Sequence, residues 1–231
     1  MGLPLDAVFG IRRQSLKNST IMIKEISQIL NYFSVLVITV VLLWAAINYW
    51  KKRNFWKLIW IMIGFRLALA FFKIALQYWV WDQSQFTRLL LHQPISKDIP
   101  GWFIQLPIFT KFSSGYFIFY SWNHFLSEAV LSIIAALVIY KLFQLLHKFN
   151  SRFFCDKEAE LGFLMVLLVG WPQIISFLPL VIFIALIFYV INWLFWRKNS
   201  ITMGWPLIVS AAIMLIFSSQ IAVWQFLVFK I

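Results

Sequence analysis

Cysteine occurs once, at Cys155. A single thiol excludes an intramolecular disulfide and any cysteine-based zinc site. The three histidines, His92, His124 and His147, stand apart without metal-ligand spacing, so no metal site is expected. Acids are scarce too: 8 Asp and Glu stand against 20 Lys and Arg, a formal net charge of +12. Charged residues are 12% of the chain, about half the ~25% usual in a soluble domain. There is no glycine-rich phosphate loop and no nucleophile elbow around a serine. No cofactor is expected.

What fills the chain instead is apolar. Hydrophobic residues make up 62% of the 231 positions, and mean hydropathy is +0.84. Disorder, collagen and a small secreted scaffold are excluded by these values. Several runs are long enough to cross a hydrocarbon core, which takes about 20 helical residues. They are continuous rather than alternating, which favours helices over a barrel. Trp50, Trp56, Trp81, Trp196 and Trp205 sit at the ends of such runs, where an interfacial aromatic belt belongs. The expected fold is therefore an all-α, polytopic membrane helix bundle. Its setting is a cell's inner or plasma membrane. Basic residues that flank spans face anionic lipid headgroups, so membrane lipids are expected partners and nucleic acid is not.

Organisation follows from punctuation. Residues 1–28 form a polar and basic N-terminal segment in which Ser19-Thr20 suits a helix cap. Residues 29–231 read as a single integral membrane domain. Spans are expected at about 29–50, 58–81, 123–146 and 205–229. Residues 102–120 are apolar but interrupted by Pro107, Lys111 and Ser113-Ser114-Gly115, and read as a weak or re-entrant span. The stretch 161–196 is too long for one straight span. Gly170-Trp171-Pro172 divides it into a short helix and a full span from about Gln173. The total comes to about six or seven membrane segments.

Orientation is expected from the basic residues. If 102–146 runs out and back, the polar loops 82–101 and 147–160 share one side. Eleven basic residues then fall on that side and five (Lys51, Lys52, Arg53, Lys57 and Lys230) on the other. This places both acidic loops in the cytoplasm. Arg66 and Lys73 lie within the second span, seven residues apart and on one helical face. Pairing with Glu128 of another span, or snorkelling, accounts for them.

The acids with a chemical possibility are Asp82, at the mouth of the second span, and Asp156, Glu158 and Glu160, just before Leu161. Two carboxyl groups held close cannot both ionise, so one keeps a proton. One then activates water while the other protonates a leaving group. The same positions also suit plain helix N-termini, where the dipole favours acids.

From Glu158-Ala159-Glu160-Leu161-Gly162 through Gly170-Trp171-Pro172, the chain resembles the second active-site region of type 4 prepilin peptidases. The resemblance continues through a long apolar span, Arg197-Lys198, and Ile201-Thr202-Met203-Gly204-Trp205-Pro206. Upstream, Val80-Trp81-Asp82 is similar to the family's first catalytic region. The likeness is clearest over 120–231. It implies two aspartic-type residues facing the cytoplasm and cleavage of leader peptides from pilin-like precursor proteins. Carried over by position, the catalytic residues are Asp82 and Glu158, with Asp156 two residues before it. The Gly-x-Gly-Asp signature of that family reads Cys155-Asp156-Lys157-Glu158 here. Its cysteine-pair loop is missing, so no methyltransferase activity is expected. Beside the peptidase stand a plain structural or transport protein and two further alternatives. One is an inactive relative that binds or scaffolds at the membrane. The other is a lipid-modifying enzyme, since Gly64-Phe65-Arg66-Leu67 resembles a motif of prolipoprotein diacylglyceryl transferases.

Overall fold

The computed structural model describes residues 5–83, 85–95, 106–149, 156–196 and 202–228. They are helical almost throughout, with no strand among the described residues. The all-α reading holds. The chain divides into two compact units, 1–44 and 45–231.

The first unit is most of helix α1 (Leu5–Trp50). Ser19 and Thr20 fall inside this helix rather than at a cap. Ile29, Phe33, Leu36, Val40 and Leu43 are all exposed, which is the surface a lipid-facing helix presents.

The second unit starts with the last turns of α1 and continues through α2 (Trp56–Gln83), α3 (Gln85–Leu91) and α4 (Pro107–Thr110). Then come α5 (Gly115–Ser121), a π-helical stretch at Trp122–Leu126, α6 (Ser127–Phe149), α7 (Asp156–Val169), α8 (Ile174–Trp196) and α9 (Gly204–Val228). Four helical segments are long and apolar enough to cross a membrane: Gln28–Trp50, Trp56–Gln83, Gly115–Phe149 and Ile174–Phe195. A shorter apolar segment runs over Gly204–Phe217.

Four is fewer than six or seven: among the described residues the expected 205–229 span is represented only by the shorter Gly204–Phe217 segment, and two further places complete the difference. The first is 102–146, which does not run out and back. Residues 115–149 are one continuous rod of 35 residues. The wide π turn takes up Trp122-Asn123 without breaking it. Polar side chains there bond to the rod's own backbone: Ser127 Oγ donates to the Asn123 carbonyl at 2.8 Å, and His124 Nδ1 lies 3.0 Å from the Tyr120 carbonyl oxygen. Ser114-Gly115 is thus the start of a span, not an interruption within one. The second place is α7, whose 14 residues rise about 21 Å. That is short of a ~30 Å hydrocarbon core.

Side-chain contacts fix which helix ends lie together. Tyr49 of α1, Phe55 before α2, Trp56 of α2, Tyr140 of α6, the first turn of α7 and Gly204 of α9 meet at one end. At the other end Trp81 of α2 packs on Tyr116, Phe117 and Tyr120. Leu91 of α3 joins that cluster. The described residues of the 82–101 and 147–160 loops therefore lie at opposite ends of the bundle, which corrects the shared-side topology.

Helix α7 is the hub. Every residue from Leu161 to Gly170 is buried, between α2, α6 and α9. The chain breaks after Val169, where Gly170 adopts φ +76°, a backbone state that favours glycine. Helix α8 then turns back. Seven residues separate Trp196 from Gly204 and reach at most about 28 Å. A collinear α7–α8 rod would end about 55 Å away. The predicted division at Gly170-Trp171-Pro172 matches this break.

Candidate functional site

At the first end, three helix N-termini converge: α2, α7 and α9. Each leaves backbone N–H groups without an intrahelical acceptor and carries the positive pole of its dipole. The first turn of α7 supplies acids to two of them. Glu158 is 1% exposed. Its Oε1 accepts from the Gly204 N–H at 3.0 Å and from the Tyr49 hydroxyl at 3.3 Å. Glu160 Oε2 accepts from the Phe55 N–H at 3.1 Å. Asn54 Oδ1 accepts from the Trp56 N–H at 2.8 Å. Glu158 thus caps α9, while Glu160 and Asn54 cap α2.

Glycine at 204 is a matter of space. A Cβ there would lie about 2.1 Å from the Tyr49 ring, so only glycine lets that ring approach the cap. Trp205 completes the contact edge-on, with its ring 5.8 Å from that of Tyr49.

Beside Glu158, which forms part of its wall, opens a cavity of about 720 Å³ lined also by Tyr49, Trp50, Lys52, Phe55, Lys157, Thr202 and Trp205. The Lys157 ammonium donates to the carbonyl of Lys52, and Lys52 holds φ 50° at the turn between α1 and α2.

The opposite end of α7 carries different chemistry. Arg66 of α2 lies ten residues past Trp56, about 15 Å into the bundle. Its Nε donates to the Leu167 carbonyl at 2.6 Å and its Nη2 to that of Leu168 at 3.1 Å. These are among the last carbonyls of α7, which have no intrahelical donor. A Cβ on Gly170 would fall about 2.2 Å from Arg66 Nη2. The glycine therefore serves both the turn and the guanidinium. Beside it the Trp171 N–H donates to Ser132 Oγ at 2.8 Å, and Ser132 donates to the Glu128 carbonyl at 2.7 Å. The Glu128 side chain is exposed on α6 and attracts Arg66 through its charge. It lies twelve residues before Tyr140, about 18 Å deep, close to the level of Arg66. The expected partnership of Arg66 with Glu128 is thus electrostatic, and the direct hydrogen bonds go to α7. Lys73 is half-buried, with no hydrogen-bond or ion-pair partner among the described residues.

The residues expected to form an acidic pair are not brought together. Asp82 is 26 residues beyond Trp56 on α2, about 39 Å along the helix from the end that holds Glu158. It forms an exposed ion pair with Arg88 Nε at 2.9 Å. Asp156 opens α7, but its side chain lies outside the described residues, as do Asp98, Cys155 and the Arg197-Lys198 turn. Tyr49, Gly204 and Glu160 were not singled out as a unit by sequence reasoning. The available signal was Gly204-Trp205-Pro206, a helix start with proline in its first turn.

Among the described residues no cluster of His, Cys, Asp and Glu has the makeup of a metal site. Comparison with known proteins finds no match to a family model, to a curated protein or to a solved structure.

Proposed function

We propose that this chain is an integral membrane protein that binds or scaffolds at the cytoplasmic membrane face, with its conspicuous carboxylates used as helix caps rather than as a proteolytic pair. One observation carries this reading: Asp82 and Glu158 sit at opposite ends of α2, about 39 Å apart along its axis. Peptide hydrolysis by two acids needs both within reach of one water molecule. Glu158 is also committed, with Tyr49 and Gly204 donating to the same oxygen.

The basic residues support an orientation. Among the described residues of the second unit, Lys51, Lys52, Arg53, Lys57, Lys141, Lys148 and Lys157 belong to the Glu158 end, and Arg88 and Lys111 to the other. Seven against two favours the Glu158 end as the cytoplasmic one. Pilin-like precursors remain partners of the prepilin-peptidase-like reading, and a lipid-modifying reaction belongs to the transferase-like one. Neither has an observed catalytic group behind it.

The test is cleavage of a pilin precursor by the purified protein and by its Asp82→Asn and Glu158→Gln variants. The proposal expects no leader cleavage above the rate without protein. Cleavage by the wild type that both variants abolish would restore the peptidase.

A further inference from the structure

We propose that the cavity beside Glu158 binds the headgroup of an anionic phospholipid, its phosphate held by Lys52 and Lys157 and its acyl chains leaving past Trp50 and Trp205. The inference stands whether or not the chain cleaves proteins. It rests on four features of the cavity.

The first is size. About 720 Å³ is in the range of small-ligand sites and is ample for a glycerophosphate headgroup.

The second is charge. Lys52 and Lys157 line the cavity, and both are exposed. Lys157 donates one N–H to the Lys52 carbonyl and keeps two further donors. Lys51 and Arg53 adjoin in sequence and are also exposed. The dipole of α7 adds positive potential from below, while those of α2 and α9 are met by Glu160 and Glu158. Glu158 also lines the cavity, so one carboxylate stands against the two lysines and the lining keeps a net positive charge. The Glu158 side chain is buried, and the Gly204 N–H and the Tyr49 hydroxyl both draw on Oε1. One of its oxygens is thereby engaged at the α9 terminus.

The third is polarity by level. Lysines and the Thr202 hydroxyl share the lining with Trp50, Trp205 and Phe55. Trp50 is 80% exposed and Trp205 39% exposed. Indole rings on an outer surface beside lysines are what a membrane interface selects, with the ring at headgroup level and the cation toward phosphate. A soluble anion would gain nothing from the indoles; a lipid gains from both.

The fourth is position. The cavity lies where α1 ends and α2, α7 and α9 begin. Trp56 and Tyr140 contact each other edge-on near the same level, and the apolar spans leave from there. A headgroup in the cavity is therefore at the depth at which its chains meet the spans.

The experiment uses the full-length protein, delipidated in a non-ionic detergent, with bound lipid counted by native mass spectrometry. Phosphatidylglycerol and phosphatidylcholine are titrated separately. The wild type is expected to prefer phosphatidylglycerol at least tenfold. The Lys52→Gln/Lys157→Gln double variant should bind it roughly ten- to thirtyfold more weakly, given about a fivefold effect per lysine near a membrane surface. Lys157→Gln alone should show about half of that loss on a logarithmic scale, and it keeps the test open if the double variant fails to fold. Lys141 and Lys148 are exposed on α6 outside the cavity. Their double Gln variant removes the same charge and should leave binding within twofold. Equal losses in the two double variants would overturn the proposal, because the effect would then be general surface charge. Equal binding of the two lipids by the wild type would also overturn it. Saturation by glycerol 3-phosphate at the same concentration as phosphatidylglycerol would reassign the cavity to a soluble phosphate ester.

Discussion

The two ends of α7 solve the same problem in opposite ways. At its start, beside the membrane surface, the helix gives away acceptors: Glu158 and Glu160 take the unsatisfied N–H groups of two neighbouring helices. At its end, about 15 Å deep, it receives donors, because Arg66 of α2 takes its last carbonyls. The difference follows from water. Near the surface a lost cap is partly replaced by solvent, so many arrangements serve. In the hydrocarbon layer nothing replaces it. A broken helix there requires a fixed donor, and arginine offers a rigid fork that stays charged. This makes the deep end the more demanding of stability and leaves the shallow end available for binding.

The sharpest way to break this contrast is at Arg66. Arg66→Met should cost about 3 kcal/mol, because it removes two charge-assisted hydrogen bonds and leaves carbonyls unpaired. Reversible unfolding in mixed micelles measures it. A cost below 1 kcal/mol would mean that α7 ends without help. Next comes Gly170→Ala, expected to cost about 2 kcal/mol. Its added methyl group meets both an unfavourable φ and the guanidinium. Paired with Arg66→Met, its cost should fall, since the clash is gone, and a double-mutant cycle reads that coupling.

At the shallow end Glu158→Ala should cost about 1.5 kcal/mol and Glu160→Ala about 1 kcal/mol, the usual scale for a lost cap. Hydrogen exchange should localise each loss to the first turn of α9 and of α2 respectively. The smallest effect belongs to Asp82→Asn. Its ion pair is exposed, with side chains 63% and 39% accessible, so less than about 0.5 kcal/mol should be lost after solvent screening. A larger loss would give Asp82 a role its surroundings do not show.

Much of this architecture was legible in the sequence. The run from Leu161 carried its own division at Gly170-Trp171-Pro172, because glycine and proline act on the local backbone. The span at 58–81 was visible as uninterrupted apolar length. The number of crossings was not, because Trp122-Asn123-His124 looks like a loop by residue type. A π turn keeps them in a continuous helix, with His124 Nδ1 3.0 Å from the Tyr120 carbonyl oxygen and Ser127 Oγ donating to the Asn123 carbonyl. That one turn decided whether the acidic loops share a side. The role of Arg66 was also out of reach. Its acceptors are backbone carbonyls 101 and 102 residues away, and carbonyls have no signature in a sequence. Glu158 stood out by position, but whether an acid at a helix start caps or catalyses depends on what lies opposite. What lies opposite is Gly204 and Tyr49, not Asp82.

The central claim is therefore a distance. Nitroxide labels at positions 82 and 157, introduced as cysteines with Cys155 replaced by serine, give it directly by pulsed electron paramagnetic resonance in bilayers. The separation of the two ends of α2 predicts a single distribution centred at roughly 40 Å. A distribution centred below about 15 Å, as two acids sharing one water would require, would contradict it.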